Sequence, residues 1–284
     1  MVHKHIPVSA IVLTRNETTN IARCLEAMNA IADVVVVDSF STDDTLSLAE
    51  TARSDVRIFL NAFKDFGDQR NWALDNCEPK YPWVLFVDAD EFCTPAFLDE
   101  LAAFVAKPEI FVGAFIAGKN YFLGHWLKHS TLYPSYQLRL LKLGQVRYRK
   151  EGHGQREVTD GPLHYFIEGW HHNGFSKGVY EWIERHNRYS SHEVALIERL
   201  RAERIEWHNV FKWKGDPIAR RRALKRLGAK IPLRPLMRFL YAYIWRRGFL
   251  DGYPGLLYCL LRVAHDIHIL AKLAERRNQD INRR

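Results

Sequence analysis

The chain has 284 residues, enough to bury a full core in one large domain, or in one domain with an appendage. Hydrophobic residues make up 47% and charged residues 26%, a balance that excludes a largely disordered protein. The net charge of +8 is unevenly spread: residues 1–198 carry 20 Lys/Arg against 26 Asp/Glu, whereas residues 199–284 carry 21 against 7. A basic appendage of this kind predicts an anionic partner, either a membrane surface or a nucleic acid.

The four cysteines (Cys24, Cys77, Cys93, Cys259) are far apart and form no CxxC pair, so neither a zinc site nor a disulfide framework is expected; they read as small buried hydrophobes. No apolar run of signal-peptide type opens the sequence, which makes the cytoplasm the expected compartment.

In chain order, Val8–Leu13 reads as a buried strand, followed by a helix from about Thr19 with Ile21, Leu25 and Met28 on one stripe. Asp33–Asp38, with its run of four valines, is a second strand. Ser41 and Asp44 have capping-box spacing and open a second helix. Val56–Leu60 is a third strand, Asp68–Asn76 a helix, Trp83–Val87 a fourth strand, and Phe97–Val105 a helix introduced by Pro95. Leu138–Leu143 and His164–Trp170 are further strands. Gly178–Ala195, Leu196–Val210 and Pro235–Ala274 read as helices. Strands alternating with helices predict an α/β fold with a wound, mainly parallel sheet, whose ligands bind at the carboxyl ends of the strands. Asn16 and Glu17, Asp38, and Asp88 and Asp90 all fall at that edge.

Asp88, Asp90 and Glu91 crowd three carboxylates into four residues directly after an apolar strand. They repel one another unless a cation or positive side chains offset the charge. A hard ion such as Mg²⁺ or Mn²⁺ takes oxygen ligands, shares few carboxylates with substrate phosphates, and stabilises a leaving diphosphate. Acidic groups at the other strand ends suit ribose or base recognition. For Asp43 and Asp44 helix capping competes with that reading.

Val8–Glu17, Val37–Asp43, Gln69-Arg70-Asn71 and Val87–Glu91, in this order, resemble a family-2 glycosyltransferase of the GT-A fold. They are most similar to the bacterial lipopolysaccharide-core β-glucosyltransferase branch. Phe40 departs from the pattern, standing before Ser41 where Gly is common. The resemblance implies an inverting transfer from a UDP-sugar or similar donor. It implies that Thr14, Asn16 and Glu17 line the nucleotide pocket, that Asp38 contacts the base, and that Arg70 lies near the phosphates. It further implies that Asp88 faces the ribose or donor sugar and that Asp90 ligates the metal.

Inversion needs a general base opposite the leaving diphosphate. The stretch 151–157, which holds Glu151, His153 and Glu157 together with two glycines, is the place for it. The resemblance points to Glu157, with Glu151 as alternative and Asp160 more distant. Arg139, in an otherwise apolar strand, has a fork suited to phosphate oxygens. Either His171 or His172 could serve the metal or phosphates, and the sequence does not choose between them. The aromatic stretch Tyr121–Tyr136 is either an acceptor wall or core.

We expect residues 1–198 to form the catalytic domain and 199–284 a basic helical region. Between Asp251 and Arg262 only ten residues lack charge, too few to span a bilayer. Lys/Arg beside Trp, Phe and Leu instead suit helices in the membrane interface. The expected acceptor is a membrane glycolipid or lipopolysaccharide-core intermediate, with the protein at the inner face of the cell membrane. Two other readings are a nucleic-acid-binding protein using the basic region and a sugar nucleotidyltransferase. Against the first stands the acidic N-terminal part; against the second, the absence of Gly from Thr14–Thr19.

Overall fold

The computed structural model describes residues 5–107, 110–131, 133–151, 154–211, 217–231 and 233–282. The chain divides into two compact units, Met1–Gly178 and Val179–Arg284. The position expected as a boundary, residue 198, falls inside a continuous helix, twenty residues beyond the division between the two units.

The first unit is built on a seven-stranded sheet. Its strands are β1 (Ile6–Thr14), β2 (Ile31–Asp38), β3 (Arg57–Leu60), β4 (Trp83–Asp88), β6 (Gly113–Ala117), β9 (Tyr136–Lys142) and β12 (Leu163–Tyr165), in spatial order β12-β6-β9-β4-β1-β2-β3. Every neighbouring pair is parallel except those made by β9, which runs antiparallel to β4 and β6. Four helices flank it: α1 (Ile21–Glu26), α2 (Thr45–Ala52), α3 (Phe66–Asn76) and α4 (Pro95–Val105). This is the mixed, mainly parallel, helix-flanked sheet that the GT-A resemblance implies. A small second sheet contains β5 (Glu91–Phe92), β13 (His171–His172), β7 (Lys119–Phe122) and β8 (His125–Trp126). A hairpin pairs β10 (Arg147–Glu151) with β11 (Gly154–Val158).

The valine run of β2 is apolar throughout because both faces of the sheet are covered. Val34 and Val36 join Ile21, Leu25, Phe97 and Leu101 in one core layer. Val35 and Val37 join Phe86, Ala73 and Leu74 in the other. Each such side chain contributes about 1.5–3 kcal/mol by leaving water.

The capping box does not form. Asp44 makes no side-chain cap bond, and the Ser41 hydroxyl is taken by Asp38. His164–Trp170 is extended only as far as Tyr165. All four cysteines are buried and free.

The second unit is helical, with α5 (Gly178–Ala202), α6 (Trp207–Phe211), α7 (Pro217–Lys230), α8 (Arg234–Phe239) and α9 (Gly252–Asn282). The two helices expected over 178–210 are thus one helix and a short following one. Val194, Ile197 and Leu200 of α5 pack with Ala229 of α7 and Ile269 and Leu273 of α9. The single helix expected over Pro235–Ala274 is broken by a π-helical turn, Leu240–Trp245, and a 3₁₀ turn, Gly248–Asp251. Left-handed backbone at Arg247 and Gly252 stops helical propagation there. Among the described residues no helix is long and apolar enough to cross a membrane. Lys212, Trp213 and Lys214 of the basic stretch lie outside the described residues.

Candidate active site

The parallel register aligns the strand ends. Thr14 lies opposite Asp38, and Leu13 opposite Asp88, so β1, β2 and β4 deliver their terminal polar residues to one edge. The loops after β1 and β2 are interlocked. The Thr14 hydroxyl donates to Asp38 at 2.9 Å, and the Ser41 amide donates to the same carboxylate at 2.6 Å. The Asn16 amide donates to the Ser41 hydroxyl, while the Asn16 side-chain oxygen accepts from the Thr42 amide at 2.8 Å. Asp38 is fully enclosed. As arranged it anchors these loops, and a contact with a base requires the Ser41 loop to yield.

Asn16 and Phe40 both have left-handed backbone, with φ of 54° and 56°. Asn tolerates that region and an aromatic residue does not. The conformation explains why Gly is common at the Phe40 position. Phe40 nevertheless stands largely exposed at the carboxyl edge.

Glu17 is bound on both sides, accepting from Lys177 at 2.6 Å and from Asn20 at 2.7 Å. Burial raises its carboxyl pKa, and the Lys177 and Asn20 bonds offset only part of that rise. Lys177 was not singled out from the sequence, since 160 residues separate the two partners.

The three crowded carboxylates are resolved by two arginines and a histidine. Asp88 accepts from Arg70 at 3.2 Å and from Arg139 at 2.6 Å; Arg139 also bonds Glu91 at 3.1 Å. Both guanidiniums are buried, Arg70 against the rings of Phe86 and Tyr148 and Arg139 against Trp170. Burial alone would raise the Asp88 carboxyl, but Arg139 and Arg70 more than reverse this and hold it well below the usual range. Glu91 is pushed up to about 7 by burial, which Arg139 only partly counters. Its carboxylate also accepts from the Asp88 amide at 2.8 Å, pinning the turn. Arg70 and Arg139, expected near the phosphates, engage these carboxylates in the structure. Two of their nitrogens, Arg70 Nε and Arg139 Nη1, are buried without a hydrogen-bond partner.

Asp90 stands apart from that network. Its carboxylate lies 3.3 Å from His172 Nε2, and its carbonyl accepts from the Asn173 amide. β13 pairs His172 with Glu91 on one side and with Asn120 on the other. Asn120 Oδ1 holds His172 Nδ1 at 2.7 Å. Burial works to lower the imidazole, but Asp90, Glu91 and Asp88 outweigh it and push it up to about 9. His171, on the opposite side of the pleat, packs on Tyr121 instead, its Nε2 3.4 Å from the phenol oxygen. The structure thus separates the two histidines: His172 faces Asp90 and His171 does not. Gly169 allows this strand its close approach, because a Cβ there would lie 2.0 Å from the Ala117 carbonyl oxygen.

Among the described residues no group of three or more His, Cys, Asp or Glu side chains converges as a closed metal cage. Asp90 and His172 form an open pair with one carboxylate and one imidazole.

The stretch Gln69-Arg70-Asn71 ties three parts of the site together. Gln69 bonds Ser39 at 3.3 Å and Asn61 at 2.9 Å, Arg70 bonds Asp88, and Asn71 clamps the amide and carbonyl of Tyr148. The clamp docks the β10–β11 hairpin, in which Glu157 is directly opposite Tyr148. Cross-strand partners share a face. Glu157 is therefore half-buried beside Tyr148, whose ring meets Arg70, the partner of Asp88. The Glu151 side chain and His153 lie outside the described residues, and Asp160 is exposed. Of the aromatic stretch, Phe122 is buried, Trp126 is half-buried and Tyr136 is exposed, so core and surface divide it between them.

The model of glycosyl transferase family 2 matches residues 9–168. The chain is 30% identical over 146 residues to the lipopolysaccharide core biosynthesis glycosyltransferase LpsC of Rhizobium meliloti strain 1021, covering 50% of this chain and 53% of that one. It is 36% identical over 95 residues to an uncharacterized glycosyltransferase of Rickettsia conorii, covering 33% and 32%. The alignments span about half or less of the length of these curated relatives. Among solved structures, S. aureus TarS in complex with UDP aligns over 96% of this chain and 91% of that one, at 17% identity and a TM-score of 0.44. The mannosyltransferase PcManGT of Pyrobaculum calidifontis, in complex with GDP-Man and Mn2+, aligns over 92% and 88%, at 19% identity and a TM-score of 0.44. At scores this low, the architecture rests on the sheet described above. The family match takes in Thr14, the Asp88–Asp90 turn and the Glu157 hairpin and ends before His172, and the chain belongs to the family-2 glycosyltransferases.

Proposed function

We propose that the protein transfers a hexose, with inversion, from a nucleotide-sugar donor, a UDP-sugar, to a lipopolysaccharide-core or related membrane glycolipid. The observation that carries this reading is the division of labour among the crowded carboxylates. Arg70 and Arg139 neutralise Asp88 and Glu91, leaving Asp90 beside His172 at the edge where donors bind.

Asp90 and His172 would hold a divalent ion, Mg²⁺ or Mn²⁺, which when bound supplies positive charge for the departing diphosphate. The raised pKa of His172 means that ion binding displaces a proton from its ring. Thr14, Asn16 and Glu17 shape the nucleotide side of the pocket, and Asp38 sets the loop that covers it. Asp88, clamped on two arginines, presents a fixed carboxylate to ribose or sugar hydroxyls. Glu157 is the general base: it accepts the proton of the acceptor hydroxyl as that oxygen attacks the anomeric carbon and the bond to the diphosphate breaks. The LpsC relative supports a lipopolysaccharide-core acceptor. The basic helical unit, residues 199–284 in charge terms, supports a place at the inner face of the cell membrane, on an anionic lipid surface.

The test is calorimetric binding of a panel of nucleoside diphosphates, with and without Mn²⁺, to the wild type and Asp90→Ala. Metal-dependent binding of one nucleotide, lost in the variant, is the expected result. Nucleotide binding indifferent to both metal and Asp90 overturns the assignment of Asp90 and His172.

A further inference from the structure

An amphipathic helix in a globular protein turns its apolar stripe inward. Between α8 and the start of α9 the stripe points outward. Leu236, Leu240 and Ile244 recur every four residues and are all exposed; Met237, Tyr241 and Trp245 form the adjacent row, also exposed, with Trp245 at 80%. The inward side is small: Ala242 and Gly248 are buried.

This corner is firmly built. A Cβ on Gly248 would lie 2.7 Å from the Ala242 carbonyl oxygen, and one on Gly255 would lie 2.6 Å from the Gly248 carbonyl oxygen. Backbone therefore packs on backbone, and left-handed Arg247 and Gly252 reverse the chain. Arg238 and Arg234 both pair with the buried Asp266, the latter at 3.3 Å, stapling α8 to α9. Phe249, Leu250 and Tyr253 are held outward on the same corner, Leu250 at 58% exposure.

A contiguous run of large exposed apolar side chains marks a contact surface. Charge selects the partner. Residues 199–284 carry 21 Lys/Arg against 7 Asp/Glu, and Arg247 is exposed within two residues of Trp245. A second copy would bring the same positive charge to the same face. Anionic lipid headgroups complement it, and Trp and Tyr favour the boundary between headgroup and acyl chain.

We propose that the helical corner spanning residues 236–253 inserts its apolar face into the headgroup layer of an anionic bilayer, with the arginines on the phosphates. The proposal rests on the membrane-bound acceptor of the functional reading for its setting only, because lipid binding and nucleotide binding are read separately.

The experiment is co-sedimentation of the full chain, at low salt, with vesicles of phosphatidylglycerol and phosphatidylcholine or of phosphatidylcholine alone. The wild type is expected to pellet with the anionic vesicles. The Trp245→Glu/Leu250→Glu variant is expected to partition about tenfold more weakly or worse, since two buried apolar side chains are lost. Unchanged circular dichroism and nucleotide binding establish that the variant is folded. Brominated-lipid quenching that is present in the wild type and reduced in Trp245→Phe gives a readout independent of that variant. Equal vesicle binding by wild type and variant, or none by the wild type, overturns the proposal. So does a wild-type dimer in analytical ultracentrifugation that the variant dissociates, which would assign the face to self-association. Loss of nucleotide binding with vesicle binding intact would count against the functional reading alone.

Discussion

The two units bury the same device, one acid between two arginines, and use it differently. In the first unit Asp88 lies between Arg70 and Arg139, and Arg139 also carries Glu91. In the second, Asp266 lies between Arg234 and Arg238. Arg70 and Arg139 are almost fully buried, whereas Arg234 and Arg238 keep 22% and 30% of their side-chain surface. In the first cluster the guanidiniums are shielded and the acid keeps 32% of its side-chain surface; in the second the acid, Asp266, is fully buried. The second joins two helices, α8 and α9. A buried ion pair is therefore not in itself a sign of a site. What distinguishes the first is the carboxylate next to it, Asp90, which is paired with a histidine and not with an arginine.

The comparison can be broken at the catalytic end first. Glu157→Gln should lower kcat about 10²–10⁴-fold, the range for losing a general base, with donor affinity retained. Near-normal turnover by this variant would remove Glu157 from the reaction. Next, Arg139→Met should cost about 3–5 kcal/mol, because Asp88 and Glu91 lose a shared counter-charge in a buried place. Urea denaturation measures this, and metal-dependent nucleotide binding should weaken with it. Asp266→Asn should cost less, about 1–3 kcal/mol, because the two arginines left behind reach water. It should leave nucleotide affinity unchanged; an affinity loss would mean that the two clusters are coupled.

A pH titration sharpens the contrast. Burial, with the charge of Arg262, pushes His186 and His265 of the second unit down to about 4. A histidine with a depressed folded pKa contributes fully above its unfolded pKa of about 6.5 and loses that contribution as pH falls through the folded value. The thermal midpoint should therefore drop between about pH 6.5 and pH 4, and drop less in His265→Asn. The smallest effect is expected from Phe40→Gly, which relieves a left-handed non-glycine residue and should stabilise by about 1 kcal/mol. Destabilisation would show that the Phe40 ring packs on something in solution.

Much of the catalytic unit was legible because its signals are local. Val34–Val37 and Trp83–Val87 are apolar throughout, a pattern that buried parallel strands share. The polar residues after them marked the carboxyl edge. The capping box failed because the Ser41 hydroxyl is engaged by two other loops, accepting from the Asn16 amide and donating to Asp38 of the preceding strand. Helical periodicity persisted across Pro235–Ala274 although the helix does not, because glycine contacts and left-handed residues interrupt backbone without disturbing side-chain pattern.

From sequence alone, then, came the α/β alternation, the edge where the chemistry gathers, and the excess of charge that some cation had to offset. These depend on residues within a strand or helix of one another. Tertiary structure decided which cations: Arg70 and Arg139, 18 and 51 residues from Asp88, take Asp88 and Glu91, and His172 takes Asp90. It also chose His172 over His171, because neighbours on a pleated strand face opposite ways and only the pairing of β13 with β5 and β7 says which way is inward.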